Sequence, residues 1–231
     1  MFVKKKKVES KSILNQSHKS KRMDFACENL IESTNWRQVI FSDEKRWNLD
    51  GQDGNESFYW LMKDGQPEKY YRYRRYQGGK STMYWGCFSY YVVGQLIKCP
   101  ATVTTNRYQQ ILQQHLLPWL HQNNFNNCIF QQDNAPPHSA KSTMQWIKDN
   151  NILILEWPPC SPDCNPIENL WSIVSQTVYK NGRQYSSIQE LESSIGTASR
   201  SISIETCQRL INSMNNRLVQ VIEVSGSHIN Y

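Results

Sequence analysis

The chain has 231 residues, a formal charge of +6 and 39% hydrophobic residues, with 8 Trp, 12 Tyr and 7 Phe. That length suits one sizeable domain with an extra arm, and the aromatic content describes a folded chain, not a disordered one. Seven scattered cysteines with no signal peptide ahead of them argue against a disulfide framework, and no apolar run approaches the roughly 20 residues of a bilayer span, so no membrane role is expected.

Residues 1–22 carry Lys4, Lys5, Lys6, Lys7, Lys11, Lys19, Lys21 and Arg22 against one acid, Glu9, and read as a basic flexible arm. Such a run suits a nuclear-import signal, with the nucleus as the expected compartment, or contacts to phosphate; a solvated charge run is the plainer reading. Apolar positions over 23–31 predict a short helix. Residues 37–43 predict a buried strand ending at Asp43, and a second strand begins near Arg46 before the turn at Asp50 and Gly51. In residues 65–80, Lys69, Arg72, Arg74 and Arg75 interleave with Tyr70, Tyr71, Tyr73 and Tyr76. That alternation can track a phosphate backbone and stack on bases, and it is equally what a half-exposed strand shows.

Strands are expected over 83–91 and 94–98. Tyr108, Ile111, Leu112, Leu116 and Trp119 then recur at helical spacing in a helix kinked or ended at Pro118. A strand over 128–132 leads to Asp133, followed by a helix over 139–150, a strand over 152–155, a loop rich in Pro and Cys, and a helix from Pro166. Two helices close the chain, one opened by the capping pair Ser187 and Glu190, the other with Leu210, Ile211, Met214, Leu218, Val221 and Ile222 on one face. This order predicts an α/β domain over residues 23–185, a mixed five-stranded sheet with helices on both faces, and C-terminal helices over 186–231 packed on it.

The acids at element ends carry the chemistry. Asp43 and Asp133 each end a hydrophobic run, and on neighbouring strands their side chains emerge together. Two carboxylates about 4 Å apart repel by several kcal/mol, so such a pair wants a proton or a cation, and oxygen ligands suit Mg²⁺ or Mn²⁺. If Glu168 joins them, three carboxylates can hold two ions roughly 3.5 to 4 Å apart, an arrangement that cleaves and transfers phosphodiesters. Against this stands a local alternative: Asn165, Pro166 and Glu168 form the cap, first and third positions of a helix, with Glu168 folding back on the cap. Asp43 and Asp133 equally suit turn caps, His138 suits packing, and Cys160 and Cys164 lack a companion pair at zinc spacing.

Four runs together resemble the catalytic domain of Tc/mariner transposases: residues 39–47 around Ser42-Asp43-Glu44, residues 84–89 (Tyr-Trp-Gly-Cys-Phe-Ser), residues 131–138 from Gln131 to His138, and residues 161–171 with Asn165-Pro166-Ile167-Glu168. Their order matches, and the 34 residues between Asp133 and Glu168 resemble the Tc branch, whose third acid is Glu. The resemblance implies a ribonuclease-H-like fold, with Asp43 on the first strand, Asp133 on the fourth and Glu168 on a later helix. It implies cut-and-paste DNA transposition by metal-dependent cleavage at transposon ends and strand transfer. Asp43, Asp133 and Glu168 are then the catalytic, metal-binding acids for two Mg²⁺ or Mn²⁺ ions, with Asn134, His138 and Asn165 as neighbours. Lys4, Lys5, Lys6, Lys7, Arg72, Arg74 and Arg75 are candidate contacts to double-stranded DNA, and a second copy of the chain is a candidate partner. Family members carry two helix-turn-helix modules ahead of this domain; residues 1–36 offer at most one helix, so a truncated copy with weak end-specific binding is expected. Cys164, Pro137 and Cys160 depart from the family pattern in the loops. A non-catalytic regulator that binds DNA or dimerises is the alternative in a different class, and a nuclease for RNA hybrids or branched DNA is a third.

Overall fold

The computed structural model describes residues 2–7, 13–51, 57–63, 66–72, 80–125 and 127–231, with 2–7, 57–63 and 66–72 described by backbone alone. In chain order the strands are β1 (Phe2–Lys7), β2 (Val39–Asn48), β3 (Ser57–Lys63), β4 (Gln66–Arg72), β5 (Ser81–Phe88), β6 (Val93–Cys99), β7 (Ile129–Gln131) and β8 (Leu153–Ile154). The helices are α1 (Gln16–Ile31), α2 (Thr105–Ile111), α3 (Leu117–Gln122), α4 (Pro136–Ser139), α5 (Lys141–Asp149), α6 (Pro166–Val178), α7 (Ile188–Arg200), α8 (Ile204–Asn212) and α9 (Met214–Glu223).

Five strands form one mixed sheet in the order β6-β5-β2-β7-β8, the ribonuclease-H-like arrangement expected from the sequence. β2 pairs antiparallel with β5 along its length, from Phe41 opposite Phe88 to Asn48 opposite Ser81. Its parallel partner β7 is much shorter and pairs only from Val39 opposite Ile129 to Phe41 opposite Gln131. From Ser42 onward, one side of β2 therefore pairs with no strand among the described residues, and that side is where functional groups can gather.

Alternating side chains send the two faces of the sheet into two cores. One face packs Phe41, Trp47, Tyr84 and Phe88 against α1, α6, α7, α8 and α9. The other packs Ile40, Trp85, Cys87 and Phe130 against α2, α3 and α5. β1, β3 and β4 make a separate three-stranded antiparallel sheet in which Lys6 and Arg72 both lie opposite Phe58, on its two sides.

Several expectations are corrected. Within the described part of residues 1–22 there is no flexible arm: Phe2–Lys7 is a strand, and α1 starts at Gln16, capped by the Asn15 side chain accepting from the His18 N–H at 2.8 Å. Its polar first turns show no apolar stripe, which is why hydrophobic spacing finds only the part from Met23 on. No break separates two strands at Asp43, because pairing with β5 holds β2 extended to Asn48. The helix over 105–122 is not ended by Pro118; a wide turn over Leu112–Leu116 precedes the proline and relieves the clash its ring would make with the preceding turn. The final apolar stripe belongs to two helices, α8 and α9, divided at Ser213. Of the basic, tyrosine-rich segment, Gln66–Arg72 is strand β4, and Arg74 and Arg75 lie outside the described residues.

Candidate active site

Asp43 lies two residues beyond the last β2–β7 pair, Phe41 opposite Gln131, and Asp133 lies two residues beyond Gln131 on the other strand. Parallel register thus brings both acids to the same level of adjacent chains, at the place where β7 stops and β2 continues. Ser42 ties the two ends together: its Oγ donates to the Gln131 carbonyl at 2.8 Å and its N–H to the Gln131 side-chain oxygen at 3.2 Å.

Asp43 sits deep on the α6 side. Its Oδ2 accepts from the Trp171 indole N–H at 3.0 Å. Directly opposite Asp43 in the sheet is Gly86, and a Cβ there would come within 2.6 Å of the Trp171 ring and 2.8 Å of Leu96. The glycine thus leaves the space in which Trp171 reaches Asp43. Burial pushes the Asp43 carboxyl well up from its ordinary range; the charges of Glu168 and Glu44 push it further, and the backbone and Trp171 hydrogen bonds only partly oppose them.

Asp133 is half-exposed and behaves in the opposite way. Burial works against its charge, but the hydrogen bond from His138, the Ala135 N–H at 2.9 Å and the His138 charge hold its carboxyl below the usual range. The His138 Nδ1 lies 2.6 Å from Asp133 Oδ1 and its Nε2 lies 3.2 Å from Glu44 Oε1. A neutral imidazole donates from one nitrogen only, so a ring between two carboxylates is held as imidazolium. Burial opposes that charge, yet the two acids raise the ring to about 9. Tyr108 lies against its face, with ring centroids 4.0 Å apart. Of the neighbours, Asn134 turns to the loop and donates to the Trp157 carbonyl at 2.7 Å.

Glu168 stands in the first turn of α6, whose cap is Asn165 with its side chain accepting from the Ile167 N–H at 3.2 Å. The capping-box alternative is not realised, since the Asn165 N–H donates to the Pro162 carbonyl at 3.0 Å and not to Glu168. Asn165 also donates from Nδ2 to the Ser42 carbonyl and the Gln131 side chain, both at 3.3 Å, so the start of α6 is fastened to the ends of β2 and β7. Burial raises the Glu168 carboxyl; Lys45 counteracts this, and the charge of Asp133 adds to it. Behind the helix start, Arg217 donates to the Asn169 side chain at 2.6 Å and to the Asp163 carbonyl at 3.0 Å.

Glu168 thus links the three acids electrostatically: its charge raises Asp43, and the charge of Asp133 raises Glu168. An all-oxygen donor set in which two carboxyls, Asp43 and Glu168, are raised and the third, Asp133, is held ionised fits a hard divalent cation. Among the described residues, however, no three ligating groups are drawn into one coordination cluster. Beside Asp133 opens a cleft of about 680 Å³ lined by Phe25, Asn134, Met144 and Trp157, which includes neither Asp43 nor Glu168. Asp24, Glu28 and Glu156 outnumber Lys21 along it, so its charge does not favour a phosphate backbone. Of the candidate DNA contacts, Lys4, Lys5, Lys6 and Lys7 lie on β1 and Arg72 on β4, away from the acids in the sheet order. Glu44, Trp171, Gln131 and Arg217 were not singled out as site residues in the sequence; the only available signal was the place of Glu44, Gln131 and Trp171 inside the matching runs.

A sheet of this order, with one acid within β2 just past its last pair with β7, a second just past the end of β7 and a third in the first turn of the later helix α6, defines the ribonuclease-H-like nuclease and transferase class. Residues 38–192 match the model of the DDE superfamily endonuclease. The Tc3 transposase of Caenorhabditis elegans is 37% identical over 227 residues, covering 98% of this chain and 68% of that protein. The catalytic domain of Mos1 mariner transposase superposes with a TM-score of 0.72 at 18% identity, covering 96% of this chain and all of that one. The Mos1 paired-end complex with Mg gives 0.78 at 20% identity, covering 96% and 66%. The chain belongs to the DDE superfamily and, within it, to the Tc/mariner transposases, of which it is a cut-and-paste transposase catalytic domain.

Proposed function

We propose that Asp43, Asp133 and Glu168 are the catalytic acids of this domain and that they hold two Mg²⁺ or Mn²⁺ ions. The reaction is hydrolysis of DNA at transposon ends, followed by attack of the freed 3′ hydroxyl on target DNA. The ions, when bound, activate the attacking oxygen and stabilise the leaving one. The observation that carries the reading is the placement of Asp43 and Asp133 at one level of adjacent strands, with Glu168 fastened beside them through Asn165. The protein's own part is orientation: Trp171 holds one oxygen of Asp43, His138 and the Ala135 N–H hold one oxygen of Asp133, and Asn165 fixes where α6 begins.

Double-stranded DNA is the proposed substrate, with Lys4–Lys7 and the arginines of the 72–75 segment contacting phosphates and the nucleus as the compartment. A second copy of the chain is the proposed partner, as the paired-end assembly of the mariner relative suggests. The test is nicking of a DNA duplex by the purified chain in Mn²⁺. Asp133→Asn and Glu168→Gln each abolish nicking at an unchanged far-ultraviolet spectrum; nicking that survives either change removes that residue from the set. Affinity for DNA falls steeply with added salt if the lysines and arginines neutralise phosphates.

A further inference from the structure

The carboxylate of Asp133 is held by one oxygen only. Its Oδ1 takes both the Ala135 N–H and the His138 Nδ1, while Oδ2 has no hydrogen bond among the described residues. Two donors on one oxygen fix the plane of the group and leave the other oxygen as a ligand. Such an arrangement works only if the donor is itself fixed. The His138 ring is buried, packed against Tyr108 with the two rings tilted by 31°, and anchored through Nε2 on Glu44. Its backbone is held too: the N–H donates to the Ala135 carbonyl at 2.9 Å and the carbonyl accepts from Gln132 at 3.1 Å.

Glu44 has no evident packing role. Its side chain is 15% exposed, and its one hydrogen bond among the described residues goes to His138. Burying a carboxylate costs desolvation that a leucine at the same place would avoid. Glu44 neighbours Asp43 on β2, and alternation along the strand sends it to the opposite face. One strand therefore supplies the first acid and, by its next residue, the support of the second.

We propose that Glu44 and His138 are positioning residues for Asp133: Glu44 fixes the His138 ring, and the ring fixes Asp133 Oδ1 so that Oδ2 alone is left for the cation. The proposal rests on the reading of Asp133 as a cation-binding acid. Partners behind a metal ligand typically change metal affinity by about 10- to 100-fold when removed.

The experiment is calorimetric titration of the full chain with Mn²⁺ alone, alongside thermal melting of the metal-free protein. Glu44→Gln, nearly isosteric, and His138→Ala each weaken Mn²⁺ binding by at least about tenfold. His138→Asn, whose amide can stand in for Nδ1, recovers part of the loss. Glu44→Gln combined with His138→Ala is no weaker than His138→Ala alone, because the first residue acts through the second. Unchanged affinity in the single variants, or losses that multiply in the double one, overturns the proposal. If His138→Ala melts before it can be titrated, Glu44→Gln against wild type decides alone. Asp133→Asn separates the two levels: if it binds Mn²⁺ like wild type, the reading of Asp133 fails, whereas if it alone loses binding, only the positioning role fails.

Discussion

Asp163 and Glu168 flank Asn165, the cap of α6, and burial works against the charge of both, yet their carboxyls move in opposite directions. Asp163 takes a two-pronged contact from Arg22, with Nη1 to Oδ1 at 2.8 Å and Nη2 to Oδ2 at 2.7 Å, and the Ile229 N–H adds 2.8 Å to Oδ2. Those partners outweigh burial and hold it below the usual range. Arg22 in turn reaches the Gly226 and Ser227 carbonyls and the Ser161 hydroxyl, so every prong is used. Glu168 meets mainly Lys45 as a counter-charge and other acids besides, and it rises. A buried acid with a matched partner is scaffold; a buried acid among like charges stores a demand for a cation. The two sit on one loop and one helix start, so the satisfied cluster holds still the residues that the unsatisfied one needs.

Breaking the satisfied cluster has the largest expected effect on stability. Arg22→Ala removes the two-pronged contact from the largely buried Asp163, leaving it the Ile229 N–H and the nearby His228, and should lower the unfolding free energy by about 3–5 kcal/mol, read from urea denaturation. Asp43→Asn should do the reverse: nicking falls by more than about a hundredfold, beyond what an outer partner costs, while the melting temperature holds or rises because a repelled buried charge is gone. A melting temperature that drops as in Arg22→Ala would show Asp43 to be scaffold. Gly86→Ala drives a methyl group into Trp171 and should cost about 1–3 kcal/mol, with nicking reduced as the Trp171–Asp43 contact is displaced.

The smallest effect is in the acid limb. Because the folded carboxyl of Asp163 lies below its unfolded value, its contribution is fully present above about pH 4 and is lost as pH falls through the lower folded value. Melting temperatures of wild type and Asp163→Asn therefore converge as pH falls from 5 toward 2. Curves that stay parallel would break the contrast with Glu168.

The legible parts were those where a local signal and its cause coincide. The strands of the five-stranded sheet followed from spacing, and α6 starts where Asn165 and Pro166 predict, whereas β1 and β3 were not foreseen. The three acids stood out through their run contexts and separation. Glu44 was invisible because an acid next to Asp43 reads as a solvated neighbour until the other face of β2 is known to meet His138. Arg22 read as the last cation of an arm, and nothing in the sequence joined it to Asp163, which lies 141 positions further on. Trp171 stood only as the last residue of the run 161–171, and nothing local tells an indole that fills space from one that also donates to Asp43.

By itself, then, the sequence determined which segments of the five-stranded sheet extend, which of the following segments coil and where α6 begins, because those follow from nearest-neighbour spacing and caps; the grouping of the three acids came only with the resemblance to the Tc/mariner runs. The tertiary structure alone decided which of those acids is paired and which is left in want of a charge. That depends on what arrives from other elements: an arginine from α1 at Asp163, an imidazolium from α4 between Asp133 and Glu44, other carboxylates at Asp43, and at Glu168 the ammonium of Lys45 together with the charge of Asp133.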